Sequence, residues 1–252
     1  VMDKPLIKDD SRYHLTPLLL DIAKNGNNFS SEKKYELQKL GFNFKSPLVS
    51  RSFTKRSESN GLDESYDIGE IRLHYTTSGY HAVNNSDING NNIPDYIDSV
   101  AIIFENVTNN LHNKMGYLLP PSDGHYTSTR DKGGSEHYDV YIRNLSSKYY
   151  GYVQPEDFAQ GNGDNEQSNT FKEVNAFTSY MAIRNNYSNF PLDELNALKV
   201  TIAHEYYHAI QFGYDGWEKP WLLEASAVWM EEEIYDEIND CYQNMEEWVN
   251  FP

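Results

Sequence analysis

The sequence predicts an α+β fold in which a twisted mixed or antiparallel sheet packs on a central helix. Short segments alternate apolar and polar residues in the two-residue period of a strand. These strand-like segments are 70–77, 138–143, 149–153 and 177–184. Two longer segments, 94–114 and 191–211, instead place apolar residues at helical spacing. A chain of 252 residues is long enough to bury one sizeable core.

The segment 199–211 reads KVTIAHEYYHAIQ and is the helix around which the site is predicted. It carries His204, Glu205 and His208 in the pattern H-E-x-x-H. Residues four apart lie on one helix face, so both imidazoles can point at one zinc ion. Glu205 is adjacent to His204, where its carboxylate can reach a metal-bound water without ligating the metal. This placement predicts a general base.

A catalytic zinc site uses three protein ligands, so a third must be found. A histidine or aspartate soon after the helix would require glycine at 211 and the ligand at 214, but the chain has Gln211 and Tyr214. Glu224 is the better candidate, because it lies among apolar residues where a carboxylate is costly to bury unless it is paired or metal-bound. We interpret the run Glu231–Glu233 from its composition as a solvated helix face.

HEYYH followed by WLLEASAVWME resembles the gluzincin metallopeptidases, whose second motif has the form W-L-x-E-[GA]-x-A-x-[YW]-x-E. The resemblance implies a zincin-like catalytic domain at 61–252, with Glu224 as third zinc ligand on a second helix. It also places Glu231 at the trailing acid of the motif, where it can support a histidine ligand. The implied activity is a zinc-dependent endopeptidase that hydrolyses peptide or protein substrates through a metal-activated water, with Glu205 as general base.

Over residues 71–252 the chain is also similar to uncharacterised secreted bacterial metalloproteases. The strings that carry this similarity are HYTTSG, NGNNIPDY, YDVYI and AHEYYHAIQ. The resemblance implies a secreted protein, extracellular or periplasmic, and we expect a processed form of a longer gene product with a C-terminal subdomain. In gluzincins an edge strand above the active-site helix holds the substrate in extended form. By that resemblance we expect 177–182 to be the edge strand.

A second metal site is predicted in the loop 87–98, where oxygen-bearing groups follow the spacing of a calcium loop. The predicted ligands are Asp87, Asn89, Asn91, Asp95, Asp98 and the backbone carbonyl of Ile93. The loop departs from an EF-hand because Gly90 stands at position four and Asp98 replaces the bidentate glutamate. The alternative is an Asn-Gly turn followed by a helix that begins near Pro94.

Residues 1–60 form a region apart from the main domain. Helical patterns at 12–24 and 30–40 are followed by a polar segment, 45–67, that predicts a linker or extended arm. The region is interpreted either as a propeptide-like arm across the active-site cleft or as a helical appendage packed on the main domain.

Composition excludes some partners and leaves one rival function. A net charge of −17 argues against nucleic acid and anionic membrane surfaces, and no apolar stretch approaches the length of a membrane span. Cys241 is the only cysteine, so no disulfide forms within the chain. The rival function is a non-catalytic calcium- and zinc-binding module for adhesion or matrix binding. Glu205 argues against it, since a structural zinc site is closed by four protein ligands and needs no base.

Overall fold

The structure, a computed structural model, describes residues 15–44, 48–50, 59–125, 131–159 and 175–242. The helices are α1 (Leu15–Asn25), α2 (Ser31–Lys39), α3 (Asp95–Thr108), α4 (Glu194–Asp215) and α5 (Pro220–Tyr235). The strands are β1 (Glu64–Ile68), β2 (Ile71–Tyr75), β3 (Tyr138–Arg143), β4 (Gly151–Phe158) and β5 (Phe177–Arg184). The chain therefore has an α+β fold.

The five strands form one mixed sheet in the order β1-β2-β3-β5-β4. β2, β3 and β5 run parallel to one another, while β1 and β4 pair antiparallel at the two edges. Side chains of successive residues point to opposite faces. Val140 and Met181 thus face the core shared with α3 and α4, whereas Tyr141 and Tyr180 face a second cluster on the other side.

The prediction that 177–182 is the edge strand of the sheet is wrong. β5 lies between β3 and β4, and every one of its residues is buried, as an interior strand requires. The free edge is β4, which runs on to Phe158 through Pro155. Proline cannot donate to a strand ladder and is tolerated mainly at sheet edges. Pro155 was therefore a sequence signal for the true edge strand.

The N-terminal region contributes α1 and α2 and part of the sheet. Ser30 caps α2 by accepting a hydrogen bond from the Lys33 backbone N–H, as the sequence pattern predicts. The prediction that 45–67 is a linker is wrong for its last residues, because Glu64–Ile68 forms β1. Only alternate residues of this edge strand are half-buried, which gives it a weak apolar pattern. Residues 1–14 and most of 45–58 lie outside the described residues.

α4 is the central helix and touches β4, β5, α3 and α5. Asp193 caps its first turn by accepting from the Asn196 N–H, and the helix is buried almost continuously from Ala197 to Gly213. α5 begins at Pro220, a favoured first helical residue, and packs against α4. None of the helices in the described ranges has the length and apolar character needed to cross a bilayer.

Candidate metal centre

Three predicted ligands meet between α4 and α5. His204 and His208 lie one turn apart on α4, and their Nε2 atoms are 3.0 Å apart. Glu224 reaches them from α5, with Oε1 3.1 Å from His208 Nε2 and Oε2 3.5 Å from His204 Nε2. Ligand atoms of all three residues lie within 4.8 Å of one another. The packing of α5 on α4 is what brings the carboxylate to the two imidazoles.

These spacings fit a zinc ion. In a tetrahedral site with metal–ligand distances of 2.0–2.2 Å, ligand atoms stand about 3.3 Å apart. The distance between the two Nε2 atoms is 3.0 Å, and the nearest carboxylate oxygen of Glu224 is 3.1 Å from His208 (Oε1) and 3.5 Å from His204 (Oε2), all near that value. Two imidazoles and one carboxylate also form a donor set typical of catalytic zinc, which leaves a fourth position for water or substrate.

Gln211 fixes the orientation of His208. Its amide N–H groups donate to the Leu223 carbonyl at 3.0 Å and to Ser226 Oγ at 2.8 Å, so its Oε1 is left as an acceptor. That oxygen lies 2.7 Å from His208 Nδ1, which therefore carries the proton. Nε2 is consequently the nitrogen turned toward Glu224 and His204, and it is the one available to a metal.

Glu231 performs the same task for His204. Its Oε1 lies 2.5 Å from His204 Nδ1, and the residue is 6% exposed. The interpretation of Glu231 as part of a solvated face is therefore wrong, since only Glu232 and Glu233 reach solvent. The position that the resemblance assigned to Glu231, behind a histidine ligand, agrees with this contact.

The pKa values of His204 and Glu224 shift in the directions that favour the charged form of each group. Although burial lowers the pKa of His204, hydrogen bonds with Glu224 and Glu231 raise that pKa well above its usual value. Burial likewise raises the pKa of Glu224, but hydrogen bonds with His204 and His208 outweigh it and lower that pKa. In the metal-free chain a proton on His204 therefore supplies the positive charge that zinc would bring.

Glu205 lies beside the ligands but does not join them. Burial raises the pKa of its carboxyl group, and the neighbouring His204, His208 and Thr16 offset part of that increase. Above it passes β4, and a Cβ atom on Gly151 would lie only 3.2 Å from Glu205 Cγ and 3.0 Å from the Ala182 carbonyl oxygen. Glycine at 151 thus lets the edge strand lie close to the predicted base.

Glu205 has one partner from a distant part of the chain. Thr16 on α1 donates from its Oγ1 to Glu205 Oε2 at 2.8 Å. Sequence reasoning gave no role to Thr16, and it had no local signal to use, because the two residues are 189 positions apart. Gln211 was missed as well, although its spacing of three residues from His208 places both on one helix face and would have sufficed to find it.

In the loop 87–98, which is predicted to bind calcium, the side-chain oxygens of the predicted ligands do not all face one point. The side-chain amides of Asn89 and Asn91 donate to the Asp98 carboxylate at 2.7 and 3.0 Å, so these three residues converge. Asp87 instead accepts from three backbone N–H groups within the loop, and Asp95 accepts from the Ile88 N–H and Ser86 Oγ. The helix of the alternative interpretation is also present, since α3 begins at Asp95 directly after Pro94.

Comparisons of the chain with protein-family models, with curated proteins and with solved structures found no match. The likeness to gluzincins therefore rests on the motif residues themselves. The geometry of the centre is the evidence from which a function can be proposed.

Proposed function

We propose that the protein is a zincin-like, zinc-dependent endopeptidase. One observation carries the proposal: the ligand atoms of His204, His208 and Glu224 converge at zinc-like spacing with Glu205 immediately beside them. A structural zinc site would be closed by four protein ligands and would need no buried carboxylate next to it. The resemblance of the two motifs to gluzincins supports the same activity.

Each residue has a distinct task in this proposal. A bound zinc ion would act as a Lewis acid, which acidifies water and polarises a peptide carbonyl. Glu205 takes the proton of the attacking water and passes it to the leaving amine. The raised pKa of Glu205, caused by burial, suits a group that must both accept and donate that proton. Glu231 and Gln211 hold the two imidazoles in the ligating orientation.

We further propose that the protein is secreted and that loop 87–98 binds calcium as a stabilising ion. The second point is supported by the spacing of oxygen-bearing residues in the loop. The amide nitrogens of Asn89 and Asn91 donate to the Asp98 carboxylate, so calcium binding would require both amides to turn their oxygens inward. Hard oxygen ligands of this kind suit calcium. The net charge of −17 and the lack of cysteine pairs are compatible with an extracellular protein that uses calcium in place of disulfides.

The experiment is casein cleavage by the zinc-loaded chain and by Glu205→Gln, with zinc content measured on the same samples. We expect the substitution to leave zinc bound and to reduce cleavage by about a hundredfold or more, as loss of a general base does. Glu194→Gln, at the exposed start of α4, is the matched control and should cleave like the parent. Measurable cleavage by the parent that Glu205→Gln retains in full would refute the assignment of the base.

A further inference from the structure

We propose that helix α1 is an intramolecular inhibitor of the site, which keeps the chain latent until the helix leaves. This inference rests on the proposed function, because it concerns access to the same centre. It is carried by contacts of α1 with the predicted base, with the free sheet edge and with the loop before α5. The sequence had left open whether the N-terminal region is an inhibitory arm or an appendage.

Thr16 makes the central contact. Its hydroxyl donates to Glu205 Oε2 at 2.8 Å and accepts from the Val153 backbone N–H at 2.9 Å. Val153 lies on β4, beside which the described part of the chain places no further strand on this side. An extended peptide added to the edge would place a carbonyl oxygen against such an N–H group. One side chain thus occupies both the base and a position where substrate would bind.

The rest of α1 lies along the same edge. Leu20 and Ala23 belong to the core cluster on the α4 side of the sheet, whereas Leu19 and Ile22 belong to the cluster on the opposite side. The helix therefore covers the edge of β4 from both faces. A substrate strand would have to displace these packed side chains to lie beside this part of the edge.

The far end of α1 reaches the segment that leads into α5. The Lys24 ammonium lies 5.4 Å from the centre of the Trp217 ring and 3.4 Å from the Glu218 carbonyl oxygen. α1 accordingly bridges two walls of the site, the edge strand on one side and the α4–α5 connection on the other. A blocking segment has to make contacts of this kind, since it must hold both walls.

The two histidines and the predicted base are buried in this arrangement, and the Glu224 side chain is 22% exposed. His204 and Glu205 are each 4% exposed and His208 is 0% exposed. An endopeptidase must bring the carbonyl of a long chain to these groups, so a substrate cannot react while α1 is docked. The Thr16 hydroxyl satisfies the Glu205 carboxylate and the Val153 N–H, two polar groups that α1 buries where it docks.

Adjacent leucines on α1 provide a matched pair for a test in the full chain. Leu19 is 1% exposed and holds α1 on the sheet, whereas Leu18 is 54% exposed. If docking of α1 limits access, weakening it raises the fraction of open molecules by the same factor. We expect Leu19→Ala to raise that fraction about tenfold or more. Leu18→Ala should leave it unchanged, and Thr16→Val should act in the same direction as Leu19→Ala.

The readout is access to the metal rather than turnover. Each variant is loaded with cobalt(II), and binding of a blocked alanyl-alanine hydroxamate is followed by the visible spectrum of the cobalt. We expect the hydroxamate to bind Leu19→Ala and Thr16→Val about tenfold faster than the parent or Leu18→Ala. Equal rates in all four proteins would overturn the inhibitor proposal, whatever their casein cleavage. Thermal unfolding of each variant shows that it remains folded.

Failure of the proposed function has a different signature. If Leu19→Ala binds the hydroxamate rapidly yet cleaves no casein, the peptidase proposal fails and the inhibitory arm stands. If no variant takes up cobalt, the metal proposal fails, and hydrogen exchange at the Val153 amide still decides the role of α1. Exchange that is faster in Leu19→Ala, with β5 amides still protected, shows that α1 undocks alone. If the Val153 amide of β4 in Leu19→Ala is as protected as the β5 amides, α1 is inseparable from the core. This result would overturn its role as an inhibitor.

Discussion

The proposed zinc centre and the proposed calcium loop present their ligand atoms in opposite ways. At the zinc centre, hydrogen bonds at the far nitrogens of His204 and His208 leave the near nitrogens turned toward Glu224. In the loop, the carboxylates of Asp87 and Asp95 are engaged by backbone N–H groups of the loop itself. The first group of atoms is arranged around a common point, and the second is only partly so.

The difference follows from the elements that carry the ligands. Two packed helices hold the three proposed ligands, with both histidines buried and Glu224 partly so. We therefore expect a metal to bind there with little rearrangement. The loop is exposed and has to exchange some of its own hydrogen bonds for metal contacts. We therefore expect large effects from changes at the zinc centre, including changes behind the ligands, and small effects from changes at the loop.

Gln211→Ala tests the support behind the zinc ligands. The substitution removes the acceptor that holds His208 Nδ1, so zinc affinity should fall about 10- to 100-fold, which is typical of groups behind a metal ligand. A competition titration against a zinc chelator measures the change. Gln38→Ala, on an exposed position of α2, is the matched control. Unchanged affinity in Gln211→Ala would mean that the ligands need no such support.

The pH dependence of zinc binding tests the charge in the centre. The pKa of His204 is raised in the folded metal-free chain, chiefly because its carboxylate partners outweigh its burial. Its proton therefore contributes stability that is fully present below the ordinary pKa of 6.5 and is lost as pH rises through the raised value. Zinc must displace this proton, so zinc affinity should increase about tenfold per pH unit between about pH 6.5 and the raised pKa of His204, and should level off above that pKa.

Competition titrations at two pH values in this window measure that slope. In Glu231→Gln the slope should be shallower, because the Glu231 carboxylate is one of the groups that raise the pKa of His204. Zinc affinity that is independent of pH in the parent chain would contradict the protonated state of His204.

Calcium should produce the smallest effect. Binding to the folded loop stabilises the chain by mass action, and for a domain of this size the melting temperature should rise on the order of 5 °C. Asp98→Asn should abolish the increase, since Asp98 is where Asn89 and Asn91 converge. Asp63→Asn, at an exposed position outside the loop, should retain it. Identical melting curves with calcium and with a calcium chelator would show that the loop is only a turn.

Local patterns predicted the helices and most strands of the fold. The capping of α2 by Ser30, the strand at Ile71–Tyr75 and the long helix around His204 all follow from periodicity and end signals. The order of the strands did not follow, because pairing depends on contacts between distant segments. The edge was misplaced for that reason, although Pro155 marked the correct strand.

The residues of the candidate site also divide into those that local patterns predict and those that depend on contacts between distant segments. His204, Glu205 and His208 lie four residues apart or less, so helical geometry alone places them together. Glu224 was predicted from its apolar neighbours and Glu231 from the resemblance, and only the packing of α5 on α4 brings either residue close to the histidines. The contact of Thr16 with Glu205 could not be predicted, because no pattern in either segment refers to the other.

The most direct test of the account is the zinc content of the purified chain by native mass spectrometry, beside that of His208→Ala. The account predicts about one zinc per parent chain and none in the variant, because removal of one imidazole leaves two ligands. Absence of zinc from the parent after reconstitution, or equal zinc in both proteins, would contradict a centre formed by His204, His208 and Glu224.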